Sequence, residues 1–126
     1  MSNKYKNTIS AVIRCAEING WNVHTEKVSK TRQTKFEFSR FTPAGQDFSF
    51  SATMVDDDFY SLVRDVEDYY DCFDPDARTY LWLDSSGHGK NGAPHRMRDV
   101  LEDMEAVRKM IGYLYLSLQE LESVYS

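Results

Sequence analysis

Residues 35 to 54, KFEFSRFTPAGQDFSFSATM, decide the fold of this chain. Apolar and polar side chains alternate on both sides of the central segment TPAG, whose proline and glycine are typical of a turn. The alternating apolar residues are Phe36, Phe38, Phe48, Phe50, Ala52 and Met54. A period of two predicts two antiparallel strands with one buried face. That face is rich in phenylalanine, so we expect helices to cover it.

The flanking segments add helices and further strands to this hairpin. An amphipathic helix is predicted over Thr8 to Asn19, with Gly20 at the position of a left-handed C-terminal cap. A strand is expected near Trp21, and Thr79 to Asp84 (TYLWLD) is expected to form a fourth strand. The predicted order is α-β-β-β-α-β-α. The chain is therefore interpreted as a single α+β domain, 1–126, with one mainly antiparallel four-stranded sheet and helices packed mainly on one face.

The clearest amphipathic pattern lies in the second predicted helix, which begins at Asp56 to Asp58 and ends near Phe73. Aspartates at its start supply an N-cap and suit the positive end of the helix dipole. At about 100° per residue, seven large apolar side chains share an arc of about 120°. They are Phe59, Leu62, Val63, Val66, Tyr69, Tyr70 and Phe73, and the opposite side carries Asp57, Asp65, Asp68 and Asp71.

Acidic residues are concentrated in this middle part of the chain. Residues 56–84 contain half of the 20 aspartates and glutamates, and the formal net charge is -5. Carboxylates along a helix can imitate the phosphates of a nucleic acid and occupy the basic cleft of another protein. Asp57, Asp65, Asp68 and Asp71 are therefore a candidate surface for a basic protein partner. The alternative is an ordinary solvated helix face.

Direct binding of nucleic acid is not expected. Over residues 8–73 the predicted element order is similar to that of a double-stranded-RNA-binding domain. Such domains carry phosphate-gripping lysines at the start of the second helix, where this chain has Asp56, Asp57 and Asp58. The negative net charge also opposes binding to nucleic acid or to an anionic membrane.

We expect a protein of the cytoplasm. The apolar runs are too short to cross a bilayer, and the first residues lack the apolar stretch of a signal peptide. Cys15 and Cys72 are isolated and lack CxxC spacing, so reduced thiols are expected rather than a disulfide or a zinc site. No cofactor and no metal are predicted.

The segment from Asp84 to Arg96 is the candidate for chemistry. Its glycine-rich loop lies between a predicted strand and a predicted helix, so free amides and Lys90 are expected to be able to hold an anion. The candidate ligand-binding residues are Gly87, His88, Gly89, Lys90, Asn91, Gly92 and His95. The loop matches neither a Walker A sequence nor the context of a dinucleotide-binding fingerprint, and a plain connection is the alternative. Asp84, His88 and His95 are a conceivable metal or acid-base cluster, but their spacing fits no zinc-site pattern, and solvent-exposed histidines are the alternative. No catalytic residue is assigned.

The last predicted helix, from about His95 or Arg96 to Tyr125, suggests a homodimer. Its apolar residues are spaced alternately by three and four, as in a heptad repeat: Met97, Val100, Met104, Val107, Ile111, Leu114, Leu118, Leu121 and Tyr125. A straight helix of this length spans roughly 43 Å and would overhang its sheet. Leu118, Leu121 and Tyr125 are thus candidate contacts with a second copy. The alternatives are a break near Gly112 or packing on the first helix.

Three segments carry a resemblance to known proteins: FTPAGQDFSF (41–50), LWLDSSGHGKNGAP (81–94) and MRDVLEDMEAVRKMIGYL (97–114). Together, over roughly residues 40–115, they resemble small proteins of gut bacteria and their mobile elements. The resemblance transfers no activity and implies an accessory or phage-conflict factor. We therefore expect a non-enzymatic protein-binding module, such as a small acidic regulator or inhibitor. The alternative is a ligand-binding domain or enzyme that uses residues 84–96.

Overall fold

The computed structural model describes the backbone of residues 2–28, 32–56, 58–89 and 93–125, and the side chains of 8–28, 32–56, 58–89 and 93–122. It contains helices and a three-stranded sheet, which confirms the α+β class. The elements are α1 (Ser2–Ile18), β1 (Asn22–Lys27), β2 (Gln33–Phe41), β3 (Asp47–Val55), α2 (Phe59–Cys72), α3 (Pro75–Leu81) and α4 (Met97–Tyr125).

The sheet is antiparallel, with its strands in the order β1-β2-β3. Phe38 lies opposite Val23 on one side and Phe50 on the other, so the apolar side chains of neighbouring strands are in register. All six apolar residues that alternate around the turn are buried, whereas Glu37 and Ser51 on the opposite face are exposed. The period-two pattern therefore sets the buried face of the sheet, as predicted.

The predicted fourth strand is wrong. Residues Pro75–Leu81 form helix α3, and of Thr79 to Asp84 only Leu83 makes an isolated bridge, to Gly89. Asp74 caps the helix by accepting a hydrogen bond from the amide of Asp76, and Pro75 occupies the first turn. The cap and the packing of α3 on α4 outweigh the β-propensity of the first three residues of TYLWLD, and Thr79 is buried.

Helix α4 is continuous and contacts α1, α2 and α3. Gly112 does not break it. A side chain at this position would approach Cε1 of Tyr70 to 2.9 Å, so the glycine allows the Tyr70 ring to pack closely on the helix. The heptad-like stripe is buried within the single chain at Val100, Met104, Val107, Ile111, Leu114 and Leu118. The expected overhang of α4 does not expose Leu118, which is buried within the single chain.

A buried carboxylate ties α4 to the turn between β2 and β3. Asp103 is only 4% exposed and accepts hydrogen bonds from the hydroxyl of Thr42 and the side-chain amide of Gln46. It also accepts one from the backbone amide of Ala44, at 3.0 Å. Thr42 and Gln46 are themselves buried. Asp103 therefore fixes the position of α4 relative to the hairpin.

Candidate functional site

The acidic side of α2 lies on the surface. Its apolar arc is buried at Phe59, Leu62, Val63 and Val66, which turns the opposite side outward. Asp65, Asp68 and Asp71 are exposed, as an amphipathic helix requires. Asp58 is the N-cap, and its carboxylate accepts a hydrogen bond from the amide of Tyr60 at 3.1 Å. The fourth predicted residue, Asp57, lies outside the described residues.

Asp65 has a structural contact that the sequence does not reveal. β3 is an edge strand, and its outward amides need acceptors. The amide of Thr53 donates to Oδ2 of Asp65 at 2.8 Å, and the amide of Val55 donates to the hydroxyl of Ser61 at 2.8 Å. Side chains of α2 thus cap this edge of the sheet and block another strand from pairing there.

An open groove of about 640 Å³ runs between β3 and α2. We call it the acidic groove. It is lined by Gln33, Thr53, Val55, Asp58, Tyr60, Ser61, Arg64, Asp65 and Asp68. Tyr60 and Val55 are each 44% exposed, so the groove offers apolar surface beside its carboxylates. The sequence analysis did not identify Tyr60 and Arg64 as residues of this surface. Their position beside the aspartates on the polar side of the helix is the sequence feature that could have indicated them.

Among the described residues, the lining of the acidic groove has three aspartates and one cation, Arg64, so its net charge is negative. The Arg64 guanidinium donates to the hydroxyl of Tyr60 at 3.0 Å and lies 3.6 Å from the carboxylate of Glu67. The hydrogen bond with Tyr60 raises the pKa of Arg64. Asp58 and Asp65 each accept a hydrogen bond from a backbone amide through one carboxylate oxygen, and a carboxylate has capacity to accept further hydrogen bonds.

The predicted anion loop is held together by its own carboxylate. Oδ1 of Asp84 accepts hydrogen bonds from the amide of Ser86 at 2.9 Å, the hydroxyl of Ser86 at 2.7 Å and the amide of His88 at 2.9 Å. The Ser86 side chain and then the His88 amide lower the pKa of Asp84 from 3.8 to about 2. Asp84 therefore occupies the position that an external anion would take at these amides.

The glycine amides of this loop are also engaged. The amide of Gly87 donates to the carbonyl of Asp84 at 3.1 Å, and that of Gly89 donates to the carbonyl of His95 at 3.2 Å. An anion at Gly87, His88 or Gly89 would have to displace these acceptors. Lys90, Asn91 and Gly92 lie outside the described residues.

His88 and His95 are brought together, with ring centroids 4.2 Å apart and planes inclined by 11°. Nδ1 of His88 lies 2.9 Å from the Ser86 hydroxyl. The Ser86 hydroxyl donates to Oδ1 of Asp84, so Nδ1 of His88 faces the oxygen of a hydroxyl whose proton is already committed to Asp84. Within the residues that the structure describes, no three histidine, cysteine or acidic side chains are grouped to hold a metal ion.

The three predicted dimer contacts on α4 differ in their exposure to solvent or lie outside the described side chains. Leu118 is fully buried in the single chain, and Leu121 is half-buried. Tyr125 is the last residue of α4, and its side chain lies outside the described part of the chain. Leu118 therefore cannot contribute to a partner surface without rearrangement of the core.

Cys15 and Cys72 are both free thiols. Burial, and secondarily the charge of Glu120, raises the pKa of Cys15 above 9.0. A raised pKa reduces the thiolate fraction at neutral pH, so Cys15 lacks the activation of a catalytic cysteine.

No protein-family model, no curated protein and no solved structure matches this chain. Function is therefore inferred from the geometry. In the described part of the chain, no helix combines the length and the apolar character needed to cross a bilayer.

Proposed function

We propose that this protein is a non-enzymatic binding module whose acidic groove accepts a basic segment of a partner protein. The observation that carries the proposal is the lining of the groove, which places Asp58, Asp65 and Asp68 beside the exposed side chains of Tyr60 and Val55. Carboxylates attract lysine and arginine, and an aromatic face provides a further contact for a cation.

The groove favours an interaction surface over a reaction centre. It is open, and two of its three carboxylates, those of Asp58 and Asp65, accept hydrogen bonds from backbone amides. In the other cluster with chemical potential, Oδ1 of Asp84 accepts hydrogen bonds from Ser86 and from the amide of His88, and Nδ1 of His88 lies 2.9 Å from the Ser86 hydroxyl. The chemistry of both regions supports binding rather than catalysis.

The partner is proposed to have a basic surface of the kind that binds nucleic acid, with the aspartates of α2 in place of phosphates. Asp71 extends the acidic surface by one helical turn beyond Asp68. This role agrees with an accessory or phage-conflict factor that acts as a regulator or inhibitor. The two free thiols favour a reducing compartment, so we place the interaction in the cytoplasm.

The test is an NMR titration of the protein with tetra-arginine amide and with tetra-lysine amide. Amide shifts are expected to be largest at Tyr60, Ser61 and Arg64. The variant D58N/D65N/D68N removes three charges but retains oxygen acceptors for the cap and for the edge of β3. Exposed charge pairs contribute up to about 1 kcal/mol each, so the variant should bind the peptides about 10-fold more weakly.

The matched control is E37Q/D47N/E105Q, which removes three exposed charges that lie outside the lining of the acidic groove. It should retain most of the affinity and the same pattern of shifts. If both variants weaken binding equally, the net charge alone attracts the peptides and the acidic groove is not a specific site. Tetra-glutamate should shift no amide of the groove, and shifts there would also contradict the proposal.

A further inference from the structure

Three aspartates of α2 form a row that begins in the acidic groove. Asp65 and Asp68 line the groove, and Asp71 follows at the same interval of three residues. All three side chains are exposed. At about 100° per residue they share an arc of about 120°, so they run obliquely along one side of the helix. We call Asp65, Asp68 and Asp71 the carboxylate row.

The edge of β3 beside the groove does not favour an added strand. Extended peptides that bind a sheet edge gain their affinity from main-chain hydrogen bonds. The amide of Thr53 already donates to the carboxylate of Asp65 at 2.8 Å. The amide of Val55 already donates to the hydroxyl of Ser61, also at 2.8 Å. An extended partner would have to displace both side chains of α2, so a segment that needs no bonds from these amides fits the groove better.

The spacing of the carboxylate row matches that of side chains on a second helix. Residues three or four apart on a helix have Cβ atoms about 5–6 Å apart, and this holds for α2 and for a helical partner alike. On one face of an extended segment, side chains recur at intervals of about 6.7 Å. Over the two intervals of the row, an extended partner is therefore out of step by about 2 Å, whereas a helical partner stays in step.

We propose that the partner presents its basic segment to the acidic groove as an α-helix, with cations spaced by three and four residues along one face. This inference rests on the proposed function and names the conformation of the segment that the groove accepts. A helix bonds its own backbone groups, so it needs none from β3. Its cations meet the carboxylate row, and the aliphatic stems of these side chains pack on Tyr60 and Val55, each 44% exposed. Arg64 stays hydrogen-bonded to Tyr60.

Three alanine-rich peptides test the conformation, each with four arginines and thus the charge of tetra-arginine amide. In the facial peptide the arginines are spaced four, three and four residues apart. The ring peptide has the same composition, but its arginines are distributed around the helix. The broken peptide keeps the facial spacing and has proline at two central alanine positions, which prevents a continuous helix.

The facial peptide should bind about 10-fold more tightly than the ring and broken peptides in NMR titrations of the protein, as for the loss of two or three exposed charge contacts. Its carbon chemical shifts should be helical in the bound state. On the protein, Asp71→Asn should weaken the facial peptide about threefold. Asp47→Asn is the matched control, because Asp47 is an exposed aspartate outside the groove and the carboxylate row, and it should leave the affinity unchanged.

Equal binding of the facial and broken peptides overturns the helical conformation, and equal binding of the facial and ring peptides overturns the arrangement on one face. An Asp71→Asn variant with unchanged affinity contradicts docking along the carboxylate row. In each of these cases, shifts of the Tyr60, Ser61 and Arg64 amides by tetra-arginine amide leave the proposed function intact. If neither tetra-arginine amide nor the facial peptide shifts these amides, the proposed function itself is wrong.

Discussion

Substitution of the buried Asp103 by alanine should strongly destabilise the fold. The carboxylate accepts hydrogen bonds from Thr42, Ala44 and Gln46, which belong to the turn between β2 and β3. Asp103→Ala removes the acceptor. The Thr42 hydroxyl and the side-chain amide of Gln46 then lack their hydrogen-bond partner. Thr42 is 5% exposed and Gln46 0%, so water cannot replace the carboxylate without opening the structure.

The magnitude follows from these two buried donors. A buried donor without an acceptor costs about 1–3 kcal/mol, and removal of the buried charge itself offsets part of this cost. We therefore expect a loss of about 3 kcal/mol in the free energy of unfolding, a large fraction of the stability of a typical domain. Ala44 is exposed, so its amide regains a bond to water. Asp103→Asn retains one oxygen acceptor and should cost about half as much.

Urea unfolding, followed by circular dichroism, measures these differences. Glu105→Ala is the control, because Glu105 is an exposed acidic residue on the same helix and should change stability by less than about 0.5 kcal/mol. The expected order of destabilisation is Asp103→Ala, then Asp103→Asn, then Glu105→Ala. The backbone amide of Gln46 donates to the hydroxyl of Thr42. Its hydrogen exchange should become faster as stability is lost. Equal stability of Asp103→Ala and Glu105→Ala would refute the proposed tether.

Two further predictions concern the loop and the last helix. The pKa of Asp84 is lowered to about 2 from 3.8, so its hydrogen bonds should contribute fully above pH 3.8 and be lost as the pH falls through 2. An NMR titration of the Ser86 and His88 amides should have its midpoint near 2, and a midpoint at 3.8 would contradict the loop geometry. Leu118→Ala should reduce stability by about 2–5 kcal/mol in thermal or urea unfolding, because Leu118 is fully buried within one chain. A folded, stable Leu118→Glu monomer would show that this burial is incorrect.

Local sequence patterns determined the sheet, α2 and the end of α1. Apolar residues alternate around Phe38 and Phe50, so they all point to one face of the sheet, which is buried. In α2 the apolar residues recur with a period of 3.6 and therefore lie on one side of the helix. Asp58 supplies the predicted cap, and Gly20 adopts the predicted left-handed conformation, with φ of 89°. These features depend on residues that are near one another in the chain, so their physical causes are visible in the sequence.

The tertiary structure decided what covers each apolar surface. TYLWLD (79–84) lacks a clear period, and its first three residues are the end of helix α3, which packs on α4. The stripe on α4 has the spacing of a coiled coil, but spacing does not reveal that helices of the same chain bury Leu118. Asp103 lies on the buried side of α4. An acidic residue at a buried position indicates a hydrogen-bond partner, but the sequence does not identify this partner as Gln46. The partners of Asp103 and of Asp65 are distant in sequence, so only the folded chain places donor and acceptor together.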